Sequence, residues 1–438
     1  MKQSILSKDG VSYVVPFILI TSCFALWGFA NDITNPMVKA FSKIFRMSAT
    51  DGALVQVAFY GGYFAMAFPA AMFIRRYSYK AGVLVGLGLY ALGAFMFYPA
   101  KITGEYYPFL IAYFILTCGL SFLETSSNPY ILSMGTEETA TRRLNLAQSF
   151  NPMGSLLGMY VAMNFIQAKL NPLDTASRAD LTPAEFEAVK EYDLSVLIGP
   201  YLAIGLVILA MFVLILFWRM PKNGDKNHNI DFVPTLRRIF AMPHYREGVI
   251  AQFFYVGVQI MCWTFIIQYG TRVLMADGMA EQAAEVTSQQ YNILAMIIFC
   301  CSRFICTFLL RYVNTGRLLT VLAIVGGLLV VGVIGLQNIY GLYCLVGVSA
   351  CMSLMFPTIY GIALTGLGDD AKFGAAGLIM AILGGSVLPP FQAAIIDQVE
   401  LLGMPAVNVS FILPFVCFVV IAIYGHRTFL RSKGQLGG

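Results

Sequence analysis

The chain has 438 residues, 58% of them hydrophobic and only 12% charged, with a net charge of +5 at neutral pH and a mean hydropathy of +0.73. A water-soluble domain carries roughly 25% charged residues, so this chain has too few polar groups to coat a surface in water, and its missing solvent is lipid. Its basic residues are scattered through short connections instead of lying along one stripe, which argues against a nucleic-acid reader.

In chain order, the N-terminus is basic and then apolar, like a secretion signal. The apolar run is too long and lacks a small-residue cleavage site, so it reads as the first membrane span. A helix crosses the hydrocarbon core with about 20 mainly apolar residues. Twelve stretches qualify: 13–35, 53–73, 81–99, 107–132, 145–168, 196–218, 247–270, 289–310, 317–336, 340–364, 373–393 and 408–427. Most connections are short. The exceptions are the acidic loop 169–195 and the polar, basic segment 219–246. The expected architecture is therefore an all-α polytopic membrane protein of twelve transmembrane helices. A six-helix bundle over 1–218 carries the coupling acids, a linker covers 219–246, and a second six-helix bundle covers 247–438.

With the N-terminus in the cytoplasm, 19 Lys and Arg fall on the cytoplasmic side and 8 on the other. This is the asymmetry of the positive-inside rule, and an even number of spans places both termini inside. The expected location is an inner (plasma) membrane of bacterial type. The nine cysteines lie in apolar runs, none at metal-ligand spacing, so neither a metal site nor a disulfide framework is expected. No cofactor is expected either.

Three ionisable residues remain inside spans: Asp32, Glu124 and Arg303. A charge at the bilayer centre costs about 2.5–3.5 kcal/mol on insertion scales, so such groups normally face a cavity or a partner. Arg303 reads as a residue bracing helices or snorkelling. The two acids have polar company. Trp27, Asn31 and Asn35 recur at i, i+4, i+8 on one face of span 1, with Asp32 beside them. In span 4, Glu124 and Asn128 share a face, and Pro129 frees a backbone carbonyl one turn back. Span 5 offers Gln148, Asn151 and Ser155; span 7 offers Gln252, Tyr255, Gln259 and Trp263. One amide stripe is ordinary helix–helix glue, but four drawn from both halves suggest a polar site. Amides supply the donors and acceptors that sugar hydroxyls need, and Trp and Tyr rings supply a flat apolar wall. All three histidines, His228, His244 and His426, are read as loop residues, so no histidine relay is expected within the membrane. Enzyme signatures such as HExxH, GxSxG and GxxxxGK[ST] are absent from the sequence, and no filter-like loop suggests a channel. The expected function is carriage of a small polar solute, with a drug or metabolite antiporter as the nearest rival.

The segments ALWGFANDI (25–33), FLETSSNPY (122–130), RLNLAQSFN (143–151), YVGVQ (255–259) with Trp263, and FPTIY (356–360) resemble the fucose permease branch of the major facilitator superfamily. The likeness covers nearly the whole chain. The superfamily's loop motif between spans 2 and 3 survives in degenerate form as Arg75, Arg76 and Lys80, with Ser78 in place of the usual glycine. The resemblance implies two six-helix bundles around a central sugar site, with uptake driven by protons. It places the span-4 carboxylate of the family on Glu124, its cavity glutamine on Gln148 and its span-1 asparagine on Asn31. The family's second proton-linked acid aligns with Asn35, which cannot titrate, and Asp32 lies one helical turn away. The expectation is a proton-coupled monosaccharide symporter for L-fucose, complete as a monomer, with Glu124 and Asp32 coupling to the proton. The alternative within the same branch is a glucose/galactose transporter, proton- or sodium-linked.

Overall fold

In the computed structural model, residues 6–8, 11–34, 37–47, 54–173, 177–178, 180–221, 232–398, 400–401 and 403–434 are described. The helices, in chain order, are α1 Val14–Thr34, α2 Met37–Ile44, α3 Leu54–Arg76, α4 Tyr79–Thr103, α5 Tyr107–Ser133, α6 Ala140–Gln148, α7 Asn151–Val161 and α8 Pro183–Phe217. There follow α9 Phe232–Ala241, α10 Pro243–Ala276, α11 Glu281–Leu309, α12 Thr315–Gly335, α13 Ile339–Met352 and α14 Met355–Leu364. The chain closes with α15 Ala371–Met380, α16 Gly384–Ile396, α17 Ala406–Ser410 and α18 Ile412–Ser432. Two antiparallel hairpins of two-residue strands, Ser7–Lys8 with Val11–Ser12 and Glu400–Leu401 with Met404–Pro405, are the strands among the described residues.

Long apolar segments become helices because lipid offers no partner for a free N–H or C=O, and a helix satisfies every backbone group internally. Their starts are fixed by polar side chains at loops. Ser78 accepts from the Ala81 amide at the head of α4, and Asn314 accepts from the amides of Gly316 and Arg317 at the head of α12. Thr182 and Glu185 exchange bonds in a capping box that starts α8. That box lies within the expected loop 169–195, so the sixth span begins at Pro183 and not near 196. Arg178, ahead of this helix, forms a buried ion pair with Asp193 within it at 2.6 Å. His244 lies in the first turn of α10 and His426 within α18, which corrects their reading as loop residues; His228 falls outside the described residues.

Among the described residues, eleven helical stretches are long and apolar enough to cross a membrane. The remaining expected span, the fifth at 145–168, is broken into α6, α7, a π turn over Ala162–Ile166 and a 3-10 turn over Gln167–Lys169. Pro152 accounts for the first break, since it lacks the N–H that would bond to the Gln148 carbonyl. Apolar side chains left exposed on the helices, such as Ile18, Leu206, Phe217 and Leu328, suit a lipid solvent and not water.

Contacts divide the chain into two compact units. One holds residues 6–134 and 150–230, where α5 lies against α3 and α4, α1 against α7, and α8 against α4. The crossing of α1 with α7 is close because of glycine: a Cβ at Gly28 would strike the Asn151 carbonyl, and one at Gly154 would strike that of Ala25. A ring cluster fills the other side, with Phe97 and Tyr201 stacked at 4.0 Å and the hydroxyls of Tyr113 and Tyr201 bonded at 2.6 Å. The second unit holds 135–149 and 231–438, with α10 central to α11, α13, α14, α16 and α18. Its core includes Tyr255, Met261, Phe265, Tyr269, Leu319 and Phe418. Segment 135–149 precedes the 219–246 linker in sequence, yet groups by contact with the residues that follow it.

Candidate functional site

In the first unit the site centres on α5. Several of its polar residues bond to helix backbone, while the buried hydroxyls of Thr125 and Ser127 have no partner among the described residues. Thr117 bonds to the Tyr113 carbonyl, Ser126 to that of Phe122, and Asn128 Nδ2 donates to the Glu124 carbonyl at 3.0 Å. Glu124 itself is 5% exposed. Tyr63 Oη, from α3, donates to Glu124 Oε1 at 2.9 Å. Among the described residues this neutral hydroxyl is the one side-chain partner of the carboxyl, so its charge is not balanced by a cation. Such a group is stable in lipid when protonated and costly when ionised.

The other sequence-marked residues of this unit divide by commitment. Asn151 Nδ2 donates to the Phe24 carbonyl at 3.2 Å and helps hold α1. Trp27 is buried, its ring 4.0 Å from that of Phe24. Asn31 and Asp32 are half-buried, and the Asn31 amide makes no hydrogen bond among the described residues, so it is available to a ligand. Asn35 lies outside the described residues. Tyr63 went unmarked in the sequence, where an aromatic within an apolar run reads as core. The signal was its phenol, a polar tip that needs a partner once buried.

In the second unit, Tyr255 is fully buried and its hydroxyl has no partner among the described residues, as is true of both polar atoms of Gln252 one turn earlier. Buried polar groups are nearly always bonded, so these await water or a ligand. Gln259 is half-buried with its amide unused by the described residues. Trp263 donates from Nε1 to Ser349 Oγ at 3.1 Å and meets Phe299 edge-on. Gln148 is buried, and its backbone carbonyl accepts from Arg303 Nη1 at 3.0 Å. Arg303 Nε also donates to the Ser353 carbonyl at 2.5 Å. Both carbonyls are orphans of proline: Gln148 lies four residues before Pro152, and Ser353 four before Pro357. Arg303 therefore closes two helix breaks at once, with the Phe299 ring against its guanidinium, and α6 is held further by Asn145 Nδ2 to Thr358 Oγ1 at 3.2 Å. The bracing role expected for Arg303 is the geometry seen.

The model of the Major Facilitator Superfamily matches residues 20–389. The L-fucose-proton symporter of Haemophilus influenzae is 52% identical over 99% of this chain and 100% of its own length. The L-fucose-proton symporter of Escherichia coli is 32% identical over 95% of this chain and 93% of its own. Among solved structures, the transporter FucP in the outward conformation superposes with a TM-score of 0.85 at 31% identity, covering 95% of this chain and 99% of that one.

Proposed function

The chain belongs to the Major Facilitator Superfamily, and from that premise we propose that it is a secondary active transporter that takes up L-fucose with protons by alternating access. The observation that carries this reading is the buried Glu124 carboxyl, bonded to Tyr63 and unpaired with any cation among the described residues, in a chain 52% identical along its length to a fucose-proton symporter. A carboxyl in lipid resists ionisation, because desolvation penalises the charge by about 2.5–3.5 kcal/mol at the bilayer centre on insertion scales. Protonation removes that penalty. In the proposed cycle Glu124 takes a proton from the outer, acidic side, the sugar binds, and the neutral carrier reorients; release of both inside regenerates the carboxylate.

Asp32, half-buried and three residues before Asn35 in the sequence, is the second coupling acid. Asn31, Tyr255 and Gln259 are the sugar's hydrogen-bonding partners, because their polar groups are not committed elsewhere among the described residues. Trp27 and Trp263 offer ring faces. Asn128 and Asn151 contribute mainly by holding backbone at the site's edge, and Gln148 is a further contact to the sugar. The transport bundles are 1–218 and 247–438, linked by 219–246, in a single chain working as a monomer. The membrane is a bacterial inner membrane with both termini in the cytoplasm.

The test is uptake of labelled L-fucose into proteoliposomes under an inward proton gradient, with D-glucose and D-galactose as competitors. Accumulation that a protonophore abolishes, and that the hexoses compete with weakly, is expected. Uptake of hexose in place of fucose, or accumulation that follows a sodium gradient instead, would contradict the reading.

A further inference from the structure

The proton-coupling reading assigns work to Glu124 but leaves unexplained how its side chain is held. Two tyrosines on α3, Tyr60 and Tyr63, stand one helical turn apart in the segment FYGGYF (59–64). Tyr63 is 4% exposed, and its hydroxyl is the donor 2.9 Å from Glu124 Oε1. The separation of α3 from α5 is fixed around that bond. Ser121 Oγ, one turn before Glu124, donates to the Tyr63 backbone carbonyl at 3.1 Å. Thr117 reaches the Ala58 carbonyl at 3.5 Å, and a Cβ at Gly62 would overlap the Thr117 hydroxyl. The phenol therefore cannot drift from the carboxyl without unpacking two helices.

We propose that Tyr63 is a positioning residue for proton coupling: its hydroxyl donates to the ionised Glu124 carboxylate and sets how readily that carboxyl takes up its proton. The inference rests on the proton-coupled reading given above. A phenol donates to a carboxylate, so the bond favours the ionised form relative to an apolar wall. When Glu124 gains a proton, its O–H can donate to the Tyr63 oxygen, so the hydrogen bond reverses direction while the contact persists and no covalent bond to the phenol is made or broken. Among the described residues, few titratable groups surround this pair. Tyr60, on the same helix, and Tyr90, on α4, lie within electrostatic reach of Tyr63, and Asp32, on α1, lies within reach of Tyr60. Tyr63 thus touches Glu124, and Tyr60 on the same helix lies within electrostatic reach of Asp32.

Tyr63→Phe keeps the ring and deletes only the hydroxyl, so the contacts of its ring with Phe59 at 5.7 Å remain. The experiment measures gradient-driven L-fucose uptake against external pH, each profile normalised to its own maximum, for the parent protein and Tyr63→Phe. With the donor gone, the proton binds more readily, and the midpoint of the alkaline limb moves up by about one pH unit, a tenfold change in proton affinity. A normalised profile that superimposes on the parent's would overturn the proposal, whatever the absolute rate. If the reconstituted variant is too slow to measure, L-fucose binding in detergent, read by tryptophan fluorescence across pH, replaces uptake. There the midpoint shifts with Tyr63→Phe in the parent background and not when Glu124→Gln is also present. A shift that survives Glu124→Gln would overturn the proposal too. A parent protein whose uptake ignores pH would instead refute the proton-coupled reading, so the two failures are distinct.

Discussion

Glu124 concentrates the chemistry at the scale of single residues: a carboxyl in a helix interior, next to a phenol, with no cation balancing it among the described residues. Replacing it by Gln keeps shape and hydrogen bonding while removing the proton. Glu124→Gln is expected to exchange labelled for unlabelled L-fucose across the membrane but to lose accumulation against a gradient; retention of accumulation would remove Glu124 from the coupling role. At the sugar, a hydrogen bond is worth about 0.5–1.5 kcal/mol net, so Gln259→Ala should raise the apparent KM for L-fucose roughly three- to tenfold. An unchanged KM in initial-rate uptake would place Gln259 outside the sugar site. The acids and the amide stripes were legible in the sequence because charge and amide are rare in apolar runs. Which amides were free to bind a ligand was not. Asn128 and Asn151 look as available as Asn31 when read by spacing, and only the fold reveals that their donors are spent on the Glu124 and Phe24 carbonyls. Tyr63 was missed because an aromatic in a span is usually core.

Among the helical elements, the breaks carry the information. Pro152 and Pro357 each strip one helix of a donor, and the carbonyls they free, on Gln148 and Ser353, both find Arg303. Hydrogen bonds to charged donors contribute about 1.5–3 kcal/mol each. Arg303→Met should therefore lower the melting temperature in detergent by several degrees. Arg303→Lys should recover little of it, because an ammonium lacks the fork that reaches two carbonyls. Equal melting of all three proteins would mean that the brace contributes nothing. The prolines are plain in the sequence, and so is the carbonyl each one frees. That a single arginine, 155 residues from one carbonyl and 50 from the other, serves both is a fact of tertiary structure. The same logic explains why the fifth expected span is not a continuous helix, and why the sixth begins early: hydropathy reports apolarity but is blind to a capping box at Thr182 that extends α8 into a polar loop.

The whole molecule was the most legible level. With 12% of residues charged, membrane residence and the helical class follow from solvation alone. The contact units do not track the linker throughout, because 135–149 joins the later residues, and no periodicity in the sequence marks that exchange. Orientation is an expectation of the 19-to-8 division of Lys and Arg. A fluorescent protein fused after Gly438 should glow and alkaline phosphatase fused there should stay inactive; the reverse pattern would put the C-terminus outside.

The central claim, that sugar and proton move together, is tested most directly by proton flux with no gradient imposed. Proteoliposomes carrying an internal pH indicator are given external L-fucose with the membrane potential clamped. Internal acidification that follows L-fucose, is absent with D-glucose, and disappears in Glu124→Gln is the predicted result. L-fucose entry at a normal rate with no change in internal pH would contradict the account.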